Sequence, residues 1–182
     1  MIALRPLTDE NRAVLEALRI EPSQERFVNT VSEAMLGRLA ELTSYGAAKG
    51  AVFGLTRNLA TESSAHGIRV NAVAPRAYTR MSAEQSDKVA AQMSFTDELM
   101  AEINASMPPD LCAPAAAYLA HESCSLNGEI LQAGMGSVAR IAAVVSNGIY
   151  EPTISVEDIA DRLDRIMDVR EAHVSDAAAA QL

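Results

Sequence analysis

The chain has 182 residues, room for one domain with a real core, and a net charge of −9 argues against nucleic acid, whose phosphates need a basic partner surface. Apolar residues make up 49% but aromatics only 4%, with no Trp, so Ala, Val, Leu, Ile and Met must form most of the core. No apolar run approaches a membrane span, and the first residues do not read as a secretory leader.

In chain order, Ile2 to Leu4 can form a short strand. Thr8 can cap a helix with Asp9 and Glu10 in its first turn, Val14, Leu15 and Leu18 as its apolar stripe and Pro22 as its stop. An apolar strand follows near 26–31, leading to Ser32 at its carboxyl end. A long helix is expected from about Leu42 to His66, carrying Tyr45 and Lys49 one turn apart on one face. There the ammonium favours the phenolate form, so Tyr45 can act as general acid or base. A second strand at 68–75 completes a strand–helix–strand unit, the pattern of a parallel crossover. In open parallel sheets ligands bind at the carboxyl ends of the strands, where the Ser32 hydroxyl can hold a substrate oxygen.

The long helix is apolar on several faces. Ala47, Ala48, Gly50, Ala51 and Gly54 permit close approach of another backbone, while Val52, Phe53, Leu55 and Leu59 supply bulk. Such a helix needs cover on most sides, from a second copy in a homo-oligomer joined through 42–66, which is the expectation, or alternatively from burial within one chain. Residues 82–108 are polar and Met-rich, either a mobile cover over a substrate or a surface helix pair. Residues 109–125 predict a helix burying Leu111, Ala115, Tyr118 and Leu119, with His121 complementing the dipole near its end. Asn127-Gly128 marks a turn into a strand at 129–133. The run Val138 to Val145 has strand character, and Ser155 caps a helix striped by Ile159, Leu163 and Ile166. Residues 175–182 are Ala-rich and expected to fray. Cys112 and Cys124 have no metal-like partners, so no metal is expected, and both read as reduced thiols in a cytoplasmic protein.

Ser32, the Tyr45-x-x-x-Lys49 pair thirteen residues on, and Ile68-Arg69-Val70-Asn71-Ala72-Val73-Ala74-Pro75 together resemble the short-chain dehydrogenase/reductase family. The resemblance implies an α/β, Rossmann-like three-layer fold with mainly parallel strands and flanking helices. It implies NAD or NADP as cofactor and hydride transfer between a secondary alcohol and a ketone. Tyr45 would move the hydroxyl proton, Lys49 would hold the nicotinamide ribose, and Ser32 would fix the substrate oxygen. Pro75 and Thr79 match the nicotinamide-side loop, although Arg76 stands where the family more usually has Gly. The family's fourth site member, an Asn on the preceding helix, has no assigned counterpart, Asn11 included. The tail, with Leu119-Ala120-His121-Glu122-Ser123-Cys124, is similar to the branch acting on 3-hydroxyacyl-CoA, implying a small-molecule, acyl-CoA-like substrate.

Ahead of Arg26 the family carries a glycine-rich phosphate loop, whereas here no Gly precedes Gly37. Residues 1–28 instead weakly resemble the opening of the N-acetyltransferase superfamily, without its pyrophosphate loop. The expected organisation is an unrelated segment at 1–25, a partial dehydrogenase domain at 26–174 and the tail at 175–182. A chain of that kind is expected to be a weakened oxidoreductase or, alternatively, a non-catalytic dimerising fragment.

Overall fold

The structure, a computed structural model, describes residues 26–38 and 40–176. The strand expected at Ile2–Leu4, the Thr8-capped helix and the end of the Ala-rich tail lie outside the described residues.

Strand β1 (Arg26–Thr30) runs parallel to β2 (Arg69–Pro75), with Arg26 opposite Arg69 and Thr30 opposite Val73. On the other side of β2, strand β3 (Ile130–Gly134) is also parallel, with Ala72 opposite Ile130. The three strands fall within a residue or so of the expected ranges. A fourth, β4 (Ser137–Ile141), turns back antiparallel on β3. The hairpin turns at Met135 and Gly136, both at positive φ (54° and 71°), the geometry that matches strand twist in a two-residue turn. The sheet order is β1-β2-β3-β4.

Helix α1 (Thr43–Ser63) makes the crossover from β1 to β2 and stops where Gly67 takes up the left-handed conformation (φ 71°) after a 3-10 turn at Ser64–His66. Residues 80–105 form a helix pair, α2 (Arg80–Met93) and α3 (Asp97–Ala105), capped by Thr79 and Thr96. Helix α4 (Ala113–Ala120) precedes β3. Beyond β4, a small ribbon of β5 (Val144–Val145) and β6 (His173–Val174) encloses two short helices, α5 (Val156–Asp161) and α6 (Leu163–Met167).

Alternation along β2 decides the layers. Ala72 and Ala74 join Val31 and Ile130 against Val52 and Phe53 of α1, whereas Val73 joins Ala133 against Ala115 and Leu119 of α4. Both faces are therefore covered, and β2 is buried without a break from Val70 to Ala74, as a central parallel strand must be. Two buried-end tethers fix its amino-terminal end. Asn71 donates to the Leu126 carbonyl (2.8 Å) and accepts from the Glu129 amide (3.0 Å), while Asn127 accepts from Val70 (2.9 Å) and donates to Ala60 of α1 (3.1 Å).

Two expected stripes are narrower than the sequence pattern implies. Leu111 and Tyr118 are 41% and 44% exposed, not buried. Leu111 belongs to a separate 3-10 turn (Pro109–Leu111), so it is out of phase with α4, and an eight-residue helix covers the sheet with Ala115 and Leu119 alone. Near the C-terminus, the helix expected to run through Ile159, Leu163 and Ile166 breaks at Arg162, leaving Ile159 and Leu163 exposed. Ser175 and Asp176, the first residues of the expected tail, are tied down: the Ser175 amide donates to Ala143 (2.9 Å), and Arg140 contacts Asp176 (2.5 Å). Among the described residues no helix is long and apolar enough to cross a membrane.

Candidate active site

The carboxyl end of β1 carries Ser32 just past the last strand residue. Val31 continues the parallel ladder by donating to Val73 (2.9 Å), and Ser32 then leaves it in an extended conformation. The Ser32 hydroxyl accepts from the Ala34 amide at 3.3 Å and so caps a short 3-10 turn, Glu33–Leu36. Tyr45 lies in the first turn of α1, with 37% of its surface exposed. One turn on, the Lys49 ammonium donates to the Thr30 carbonyl at 3.1 Å and stands 5.7 Å from the centre of the Tyr45 ring. The lysine thus links the strand end that leads into Ser32 to the ring of the tyrosine. A cation at that distance interacts with the ring quadrupole and holds positive charge beside the phenol.

A residue that the motif reading passed over sets this approach. Gly46 follows Tyr45, and a Cβ built there would lie 2.8 Å from the Ala34 carbonyl oxygen. Only a residue without a side chain lets α1 come down onto the serine turn. The signal in the sequence is a Gly in the first turn of a helix, where Ala would otherwise be preferred.

The neighbouring strand end supplies the second wall. After Pro75, the Arg76 amide donates to Ala133 (2.7 Å) and the Tyr78 amide to Met107 (2.7 Å), which pins the 76–79 loop between β3 and the end of α3. Gly134 permits this, since its φ is +144° and a Cβ there would meet the Arg76 carbonyl oxygen at 2.2 Å. Thr79 caps α2 reciprocally with Ser82: the Thr79 amide donates to the Ser82 hydroxyl at 2.6 Å, and the Ser82 amide to the Thr79 hydroxyl at 3.4 Å. Pro75 and Thr79 therefore stand at the carboxyl end of β2, next to the strand end that leads to Ser32. Across the two ends, Glu33 pairs with Arg76 (3.2 Å) and accepts from Gln132 of β3. Neither Glu33 nor Gln132 stands out in the sequence.

Beside this loop, Tyr78 with Ser86, Asp87, Met100 and Asn104 of α2 and α3 line an open cavity of about 410 Å³. The Asn104 side-chain amide donates to the Ser86 hydroxyl at 3.0 Å across it, holding the helix pair together. Cys112, buried, directs its thiol at the Ala133 carbonyl (3.1 Å), and Cys124 is also a free, buried thiol. His121 accepts from the Ser123 amide (3.1 Å) and closes the end of α4 locally.

A family model described as enoyl-(acyl carrier protein) reductase, of the short-chain dehydrogenase/reductase type, matches residues 11–137. The chain belongs to the short-chain dehydrogenase/reductase family. The family match begins at Asn11, within the 1–25 segment that the sequence pattern sets apart. A Mycobacterium tuberculosis protein named as a short-chain type dehydrogenase/reductase is 33% identical over 149 residues, 81% of this chain and 47% of that protein. Peroxisomal multifunctional enzyme A of Dictyostelium discoideum is 29% identical over 157 residues, 86% of this chain and 32% of that protein. Among solved structures, full-length peroxisomal multifunctional enzyme type 2 from Drosophila melanogaster superposes with a TM-score of 0.64 at 22% identity. That alignment covers 94% of this chain and 30% of the fly protein, and it shows a shared fold. The chain thus spans less than half the length of these family members.

Proposed function

We propose that this chain carries the proton-transfer half of an NAD(P)-dependent alcohol–ketone oxidoreductase site, acting on a small molecule of the 3-hydroxyacyl-CoA class. One observation carries the reading: Lys49 reaches from the Thr30 carbonyl to within 5.7 Å of the Tyr45 ring, placing a cation between the serine strand end and the phenol. In this reading the Ser32 hydroxyl donates to the substrate oxygen and fixes its position. Tyr45 then gives a proton to that oxygen in reduction or takes it in oxidation, and the neighbouring ammonium stabilises the phenolate that results. A bound nicotinamide supplies or accepts the hydride. Lys49, Tyr45, Pro75 and Thr79 would hold the nicotinamide end of such a cofactor. The fit is to that end: Tyr45 and Thr79 are exposed at the strand ends, while no Gly precedes Gly37 to form a phosphate-cradling turn within these residues. The acyl-CoA class rests on the resemblance of the tail, with Leu119-Ala120-His121-Glu122-Ser123-Cys124, to the branch acting on 3-hydroxyacyl-CoA. Cytoplasmic location is likewise a proposal, supported by two free, buried thiols.

The test is calorimetric titration of the chain with NADH and NADPH, followed by turnover of a 3-hydroxyacyl-CoA. Micromolar binding, with turnover lowered at least about a hundredfold by Tyr45→Phe, is the expected outcome for a working site. Absence of heat at millimolar cofactor from folded protein would reject it as a working dehydrogenase.

A second reading, a non-catalytic module that pairs through α1, is favoured by one feature. Leu55 and Leu59, one turn apart on that helix, are 52% and 37% exposed. In that reading the chain binds a second copy or a full-length family member without turnover.

A further inference from the structure

We propose that Glu33 is a positioning residue: its carboxylate latches the serine turn to the loop after Pro75, so that the two walls of the candidate site move as one. The inference rests on the site proposed above and extends it to a residue that no motif includes. Glu33 is the first residue of the turn that Ser32 caps. One carboxylate oxygen pairs with the Arg76 guanidinium at 3.2 Å, and the other accepts from the Gln132 side-chain amide. Three segments meet on this one group: the turn after β1, the first residue after β2, and the middle of β3. Both carboxylate oxygens are used, which fixes its orientation as well as its distance. The pair is only partly open to water, with side-chain exposures of 29% for Glu33 and 38% for Arg76.

Each partner is held independently of the latch. Arg76 donates its amide to Ala133 and presses on Gly134, where no side chain would fit. The turn of Glu33 is seated against α1 at Gly46, beside Tyr45. A carboxylate bridging these two supports restrains Ser32 relative to the loop that leads to Thr79. Among the described residues backbone bonding alone does not do this: beyond Val31, the hydrogen bonds of the 31–37 segment stay within its own turn, and those of 76–78 run to Ala133, Met107 and Ser82. The residue that departs from the more usual family Gly, Arg76, is the one that supplies the cation.

The experiment is amide hydrogen exchange on the full chain, which requires neither cofactor nor turnover. The reporters are Ala34 and Met35, whose amides donate to Ser32 within the serine turn, and Tyr78 in the other loop, whose amide donates to Met107. Glu33→Ala is expected to speed exchange at all three by about fivefold, the scale of a partly exposed ion pair, with the thermal midpoint of α1 little changed. Arg76→Met is expected to give the same pattern and serves where Glu33→Ala does not fold. The paired exchange Glu33→Arg with Arg76→Glu is expected to restore both loops, because Gln132 can offer either end of its amide. Acceleration confined to the serine turn, acceleration nowhere, or failure of the paired exchange to restore protection would overturn the latch. Where the chain turns over substrate, the same variants are expected to lower kcat severalfold with KM for the cofactor unchanged. Absence of turnover in the unaltered chain sinks the dehydrogenase reading alone, and the exchange data still decide the latch.

Discussion

Two glycines in one helix separate a positional requirement from mere tolerance. Gly46 has the Ala34 carbonyl oxygen where its Cβ would go, at 2.8 Å, and the obstacle is backbone that cannot swing aside. Gly50, one turn later, has nothing within 4 Å. Gly46→Ala is therefore expected to destabilise the chain by about 1–3 kcal/mol, as overpacking does, and to disturb the serine turn that Tyr45 overlooks. Gly50→Ala is expected to stabilise it by about 0.5–1 kcal/mol through the helix propensity of alanine. Urea unfolding of the two variants checks both signs. Equal effects would mean that α1 is not seated on the turn as described. At the same scale, Tyr45 and Lys49 differ in kind. The lysine is anchored by a backbone carbonyl, whereas the tyrosine presents a partly exposed ring.

At the level of elements, the C-terminal helices show how local chemistry stands in for burial. Helix α5 is only six residues long and buries none of them, so its start depends on the Ser155–Asp158 capping box. The Ser155 hydroxyl and amide, helped by Arg162, hold the Asp158 carboxyl down at about 2, well below the usual carboxylate range. Because the folded value is depressed, the contribution of this group is fully present above the ordinary carboxylate pKa of about 4. It is lost as pH falls through about 2. Carbon-detected titration of Asp158 is expected to show that midpoint, and Ser155→Ala to move it up toward the unperturbed value. A midpoint near 4 in the unaltered chain would show that the box is not formed. On β4, the Arg140 guanidinium is held further toward its charged form by Glu129 and Asp176, joining the β3–β4 edge to the last described residues.

For the molecule as a whole, the surface that is not covered within the chain is as informative as the core. Leu55 and Leu59 of α1 are exposed at the flank of the stripe that packs Val52 and Phe53 on the sheet. Isolated exposed leucines are ordinary, but Leu55 and Leu59 lie one turn apart and together make an apolar surface another helix can approach. If that face joins two copies, Leu55→Glu with Leu59→Glu is expected to convert a dimer to monomer in analytical ultracentrifugation, with the melting curve of the monomer little altered. A monomer in the unaltered chain at the same concentration would remove the oligomer proposal.

The chemistry-bearing pair and the order of strands were legible in the sequence because they depend on local rules. A tyrosine and a lysine four apart share a helix face whatever surrounds them, and an apolar run closed by Pro75 reads as a strand between two turns. Strands at 26–30, 69–75 and 130–134 and the helix at 43–63 follow from periodicity of that kind. What periodicity could not show is which apolar residues a short helix has room to bury, so Leu111, Tyr118, Ile159 and Leu163 remain on the surface. Nor could spacing foresee Glu33, Arg76 and Gln132 meeting, since Glu33 and Gln132 lie on segments 99 residues apart and nothing local ties one to the other. The sequence by itself determined the spacing of the candidate groups Ser32, Tyr45 and Lys49 and the framework that carries them. The tertiary structure alone decided what holds those groups in place, because the steric fit at Gly46 and Gly134 and the bridge at Glu33 exist only once separate strand ends lie side by side.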